Sequence, residues 1–292
     1  MIIQPRPIML TPRTGIEVQR LLPQATLRKI GAWVFLDHFG PTDQQDAMVV
    51  GAHPHTGLQT ATWILEGEVE HRDSLGSVQR LLPGQLNLMT AGRGIAHSEL
   101  SVSSSTLHAV QLWIALPDSV RNMEPEFEHI GDLPVVHGIN YTAKVMVGEF
   151  QGRVSHAKVH SPLVGVELTL NASGMVWFPA DPAFEYGFLS LDNHVQVDGK
   201  QIAPGELAYS APGKELIVMD APAGSRFIVI GGKPFKEQIV MWWNFIARNH
   251  AEIVAMREAW NKAAPIFPAF QDQINQRLLA PELPNVELKP RL

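Results

Sequence analysis

Apolar residues in this chain fall in short runs, continuous or alternating, and each run is cut off by Gly, Pro, Asn or Asp. That is the pattern of β-strands joined by tight turns. A first set reads as Ala32–Phe39, Leu58–Leu65, Gln85–Thr90, His108–Leu116, Lys144–Glu149 and Leu163–Leu170, rich in Val, Ile, Leu and aromatics. A second follows at Met175–Pro179, Glu185–Leu191, His194–Val197, Gly205–Ser210, Glu215–Asp220 and Phe227–Ile230, with an Asp-Gly hairpin signal at Val197–Lys200. So many short strands between Gly and Pro indicate β-barrels or sandwiches. The pattern then changes. Phe235–Asn261 carries Ile239, Trp242, Trp243, Phe245, Ile246, Ile253, Val254 and Trp260 among charged residues, without Gly or Pro, and predicts an amphipathic helix lying on an apolar β face. Pro265–Leu292 contains five prolines and predicts an extended tail.

Length and composition narrow the picture. At 292 residues there is room for two domains, and the boundary is expected near residues 135–142. The division is therefore 1–138 and 139–234, with 235–292 as helix and tail. A hydrophobic share of 45% with 18% charged residues suits a globular protein, and a net charge of −6 argues against a nucleic-acid-binding face. Cysteine is absent, which removes disulfides and thiolate chemistry. No apolar stretch approaches the ~20 residues of a membrane span, and the first residues lack a signal-peptide pattern, so cytoplasmic residence without membrane contact is expected. Neither a G-x-x-x-x-G-K-[ST] loop nor a G-x-G-x-x-G fingerprint occurs, which removes nucleotide chemistry.

The chemistry-bearing signal is a pair of tripeptides, His53-Pro54-His55 and His97-Ser98-Glu99. On a strand, residues i and i+2 share a face. Two neighbouring strands would thus aim three imidazoles and one carboxylate at a single point. That mixed N/O set suits a divalent transition ion and would leave positions open for water, substrate or dioxygen. The second pair follows a Pro83-Gly84 turn, an apolar run and the glycine-rich bend Ala91-Gly92-Arg93-Gly94.

These blocks carry a resemblance. His53-Pro-His-Thr-Gly57, Leu65-Glu-Gly67, His71-Arg-Asp-Ser-Leu-Gly76, Pro83-Gly84, Met89-Thr-Ala-Gly-Arg-Gly-Ile-Ala-His-Ser-Glu99 and Gln111-Leu-Trp113 strongly resemble the pirin family of the cupin superfamily, and Pro204-Gly-Glu206 looks like a second, degenerate cupin turn. The resemblance implies an all-β fold of two tandem cupin barrels with the C-terminal helix. It also implies one metal in the first barrel, usually iron, held by His53, His55, His97 and Glu99; Mn, Ni, Cu, Zn and Co are the alternatives. Some relatives look like quercetin 2,3-dioxygenases, which implies an oxidoreductase acting on a flavonol-like aromatic with O2. Others resemble regulatory cofactors, which implies a non-catalytic, metal-responsive protein with a protein partner. Two residues depart from the family pattern: Thr56 replaces a frequent Arg, and Gln59 replaces a Glu. Counting alternation on from His55 puts Gln59 near the metal, where its amide would hydrogen-bond substrate or bound water, and Glu99 is expected to act as ligand and base.

Other candidates read as structural. His71 opens a polar turn and is expected at the cavity rim. Asp37 and His38 point to opposite faces of a strand, so one of them could reach the cavity, though surface hydrogen bonds are the expectation; His108 is expected in the core. Arg93 is expected to brace its turn, or else to meet an anionic substrate. The second half holds His129, His137, His156, His160, His194 and His250 without a partner at strand spacing, so no second metal site is expected.

Overall fold

A computed structural model of the chain describes residues 1–9, 17–42, 48–102, 106–270, 272 and 277–291. It is almost entirely β, with one helix among the described residues. The chain divides into two compact units, each drawn from separate stretches. One gathers Met1–Ile8, Val18–His38 and Ile130–Phe235; the other includes Phe39–His129 and Lys236–Leu292. Residues 1–38 thus largely join the later cupin, where Ile2 and Ile3 pair with Ala208 and Leu207, while the C-terminal segment joins the earlier one. Each unit opposes sheets whose ladders do not close into a ring among the described residues, so the architecture is cupin-like without being a continuous barrel.

In the later cupin, one sheet runs Ile2–Ile3, Leu207–Ser210, Glu185–Ser190, Arg226–Gly232, Leu163–Leu170, Tyr141–Val147 and Val135–Gly138. The other runs Gly174–Pro179, Leu216–Ala221, Val195–Val197 and Lys200–Ile202. Alternate residues of both sheets point inward and fill the space between them with apolar side chains, including Val166, Leu168, Val176, Met219 and Val229. Phe178 sits at the centre, edge-on to Phe188 at 5.2 Å and stacked on Phe150 at 4.9 Å. This interior is a packed hydrophobic core.

The earlier cupin is built differently inside. Its four-stranded sheet runs Val49–His55, Ile95–Ser101, Val69–Asp73 and Val78–Leu81. Opposite lie Glu126–Ile130, Leu86–Thr90, Leu58–Glu66 and His108–Ala115, in that order. Buried polar side chains, among them His53, His55, Thr62, His71, His97 and Glu99, meet between these strands.

The helix is shorter than the sequence pattern predicts. It spans His250–Asn261 and is capped by Asn249, whose side chain accepts from the Glu252 backbone N–H at 3.0 Å. The preceding stretch forms a hairpin, Val240–Trp242 against Phe245–Ala247, turning at Trp243 with φ +52°. The continuous apolar run Ile239–Trp243 lacks the one-sided stripe of a helix, and in the strand it forms Val240 is buried while Met241 and Trp242 are half-buried. Ile253 and Trp260 bury the helix against Ala96, Phe245 and Phe267 of the same unit. The tail wraps back: the Leu278 N–H donates to Ala52 O at 2.8 Å, and the Trp260 indole donates to Leu278 O at 2.7 Å.

Candidate metal centre

The two predicted ligand pairs are brought together. Strands Val49–His55 and Ile95–Ser101 run antiparallel with His97 opposite His53 and Ile95 opposite His55, so all three imidazoles share the inward face. Ring centroids of His53 and His97 lie 4.3 Å apart, and those of His55 and His97 lie 5.0 Å apart. Nε2 of His55 and Nε2 of His97 approach to 3.1 Å, a spacing suited to two ligands of one ion. The Nδ1 of His53 donates to Gly51 O at 2.9 Å, which leaves its Nε2 as the nitrogen that could meet an ion. A ligand atom from each of His53, His55 and His97 falls within a 4.8 Å group.

Glu99 reaches the site by a different route. The ladder slips between His97 and Glu99, so that Glu99 lies opposite Val50 rather than Gly51. Such a bulge re-aims the side chain. The Glu99 carboxylate groups with His71 and His97 within 4.8 Å, making His97 the residue common to both sets. From the opposing sheet, Thr62 Oγ1 lies 3.2 Å from Glu99 Oε1 and 3.0 Å from Gln111 Oε1, while Trp113 stands edge-on to His55 at 5.0 Å. His53, His55, His97 and Glu99 are all buried.

Burial sets the electrostatics. It pushes His53 down to about 4, against an opposing hydrogen bond to Gly51. Burial also holds His55 and His97 well below the usual histidine range, and the neighbouring His53 adds to this in both. All three are therefore neutral at pH 7, the form that binds metal. Glu99 is shifted upward by burial, opposed by His71 and the Thr62 hydroxyl. A carboxylate raised in this way is a stronger base than an exposed one.

Two glycines let these strands meet. Gly57, at φ +70°, would place a Cβ 2.3 Å from Ile246 O, and Gly92, at φ +51°, would place one 2.1 Å from Met123 O. Both positions require the left-handed backbone and the bare approach that glycine alone gives cheaply. Arg93 braces its bend, pairing with Glu124 while its N–H donates to Met123 O, and does not face the imidazoles.

The sequence misplaces Gln59 and undervalues His71. Gly57 carries the chain from one sheet to the opposing one, so alternation cannot be counted from His55 to residue 59. Within Leu58–Glu66 the face pointing at the imidazoles holds Thr62; Gln59, three residues earlier, takes the other face, where its amide donates to Thr90 Oγ1 at 2.9 Å. His71 is buried, stacked on Phe127 at 4.4 Å, with Nδ1 3.3 Å from Nδ1 of His97 and Nε2 3.1 Å from Asp73 Oδ2. Its own i, i+2 partner Asp73 is the signal that could have found it. Asp37, expected at the surface, is buried and receives two 2.7 Å bonds from Arg20; burial shifts its carboxyl upward despite that pairing. His108 is buried, as expected of a core histidine.

Comparison with known proteins agrees with this geometry. Residues 15–114 match the family described as Pirin, and residues 165–265 match the Pirin C-terminal cupin domain. A Pseudomonas aeruginosa protein named "Putative quercetin 2,3-dioxygenase" is 42% identical over 273 residues, covering 92% of this chain and 87% of its own. A Caulobacter vibrioides pirin-like protein is 34% identical, covering 87% of this chain and 91% of its own. The crystal structure titled quercetin 2,3-dioxygenase from Acinetobacter baumannii superposes with a TM-score of 0.95 at 41% identity, over 99% of this chain and 97% of that one. No described helix is long and apolar enough to cross a membrane.

Proposed function

Since the chain belongs to the pirin family, we propose that it is a metal-dependent dioxygenase that oxidises a flavonol such as quercetin with O2, its ion held by His53, His55, His97 and Glu99. The observation that carries this reading is the convergence of three neutral, buried imidazoles beside one raised carboxylate. The donor set fits a divalent transition ion: three nitrogens and one oxygen, with no thiolate, admit iron and its first-row neighbours. We assign iron first, with Mn, Ni, Cu, Zn and Co as the ions to compare. The names of the relatives favour an enzyme over a metal-responsive binding protein.

When bound, the ion would supply Lewis acidity, lowering the pKa of a coordinated ring hydroxyl. The residues do the rest. Glu99 takes the proton of the flavonol hydroxyl at its carboxylate, which the Thr62 hydroxyl orients by donating to Oε1. The Trp113 ring against His55 gives the site an apolar wall suited to a planar aromatic. The test is metal analysis of purified protein together with oxygen uptake on quercetin. Uptake should require the metal and vanish in His97→Ala. Uptake that persists in metal-free His97→Ala, or metal-loaded protein inert to flavonols, would overturn the assignment.

A further inference from the structure

Behind His97 runs a chain of side chains that the ligand set does not use. His97 Nδ1 faces His71 Nδ1 at 3.3 Å, and His71 Nε2 faces Asp73 Oδ2 at 3.1 Å. The other Asp73 oxygen, Oδ1, accepts the backbone N–H groups of Leu75 at 2.9 Å and Ser77 at 3.0 Å, which fixes the carboxylate in its turn. His71 and Asp73 are both buried, and Phe127 stacks on the His71 ring with an interplanar angle of 15°, so neither partner can swing away cheaply.

The donors along this chain are determined by elimination. An ionised carboxylate only accepts, so His71 Nε2 must carry the N–H. A neutral imidazole has one N–H, so His71 Nδ1 is a lone pair. Across 3.3 Å the His97 Nδ1 must then be the donor. That leaves His97 Nε2 as a lone pair, and Nε2 is the atom that faces His55 Nε2 at 3.1 Å. Both nitrogens of His71 are spent on neighbours, which removes His71 from the ligand set although its atoms fall in a metal-capable group with His97 and Glu99.

We propose that Asp73, acting through His71, fixes the tautomer and ring plane of His97 so that His97 presents Nε2 to the metal. The inference rests on the metal reading above. His71 and Asp73 are positioning residues: metal-bound histidines are held this way by outer partners, here by a histidine backed by a carboxylate instead of a carboxylate alone.

The test uses the full chain, stripped with chelator and titrated with Co(II), reading the dissociation constant and the visible absorption band. Asp73→Asn keeps the Oδ1 contacts to the turn but turns an N–H₂ toward His71. The His71 proton then moves to Nδ1 and is donated to His97 Nδ1, which becomes the lone pair, so His97 Nε2 is forced to carry the hydrogen. Co(II) affinity should fall about 10–100-fold, the usual loss for an outer partner, with a shifted band. His71→Phe should fall alike. His71→Gln should restore near-native affinity, because its amide oxygen accepts from His97 while its N–H₂ donates to Asp73.

Wild-type affinity and spectrum in both Asp73→Asn and His71→Phe would overturn the proposal and leave the metal reading standing. Loss in His71→Gln as complete as in His97→Ala would overturn it too, by making His71 a ligand. Failure of the unmutated chain to bind Co(II) would overturn both readings. If Asp73→Asn misfolds, the His71→Phe and His71→Gln pair decides the matter without touching the turn.

Discussion

Metal-stripped protein should lose stability steeply on mild acidification, and the size of the loss follows from the imidazoles. Burial pushes His53 down to about 4, against the ordinary imidazole value of 6.5 that the unfolded chain recovers. The unfolded state therefore binds more protons in this window. The contribution is fully present above 6.5 and is lost as pH falls toward 4. Between pH 7 and pH 5 a single group shifted this far costs roughly 2 kcal/mol. Burial holds His55 and His97 well below the usual histidine range too, so they add to the loss with the same sign. Glu99 acts oppositely, since its raised pKa relieves a buried charge as pH falls, and it offsets part of the loss. Asp73 has the sign of the histidines, because the His71 hydrogen bond and charge and the Ser77 contacts together outweigh burial, but its window lies below 3.8 and does not enter. Urea unfolding of chelator-treated protein at pH 7 and pH 5 measures the difference, and His53→Asn should flatten the slope by roughly the single-group amount. Equal stability at the two pH values, or greater stability at pH 5, would refute the picture of buried neutral imidazoles.

Three further outcomes follow from the same geometry. Glu99→Gln should weaken metal retention by removing the single anionic donor of the proposed set, measured as metal content after dialysis, whereas His97→Ala should abolish it. Gln59→Glu should leave metal content unchanged and lower the melting temperature, because it puts a carboxylate on the buried face beside Thr90 and away from the imidazoles. Phe178→Ala should cost about 3–5 kcal/mol through the cavity it opens in the later cupin, without altering metal stoichiometry.

The site was legible where chemistry follows strand period alone. His53 with His55, and His97 with Glu99, are i, i+2 pairs, and antiparallel pairing makes them one cluster. The same rule applied to His71 and Asp73 would have exposed the second tier, but His-Arg-Asp-Ser-Leu-Gly reads first as a turn, and Asp73 does hold one through its Oδ1. Gln59 shows the limit of counting: a period carries no information past Gly57, whose positive φ moves the chain to the opposing sheet. The stretch before His250 reads as helical because its apolar residues lie among charged ones without Gly or Pro. The turn at Trp243 uses a left-handed residue with a bulky side chain, which composition does not flag. The bulge before Glu99 is likewise invisible in sequence, because it depends on how Val50 and Glu99 pair.

The edge of the strand that carries His53 and His55 is covered by backbone from far along the chain: Ile246 N–H donates to Thr56 O, and Leu278 N–H donates to Ala52 O. During synthesis this strand leaves the ribosome early, and its outer hydrogen bonds wait until residue 278 has emerged. Until then a nascent chain has an incomplete sheet edge beside His53 and His55. Completion of the proposed ion site therefore waits for the later segments, and a ribosome stalled before the hairpin at Val240–Ala247 would display the strand carrying His53 and His55 without the cover that holds it in place.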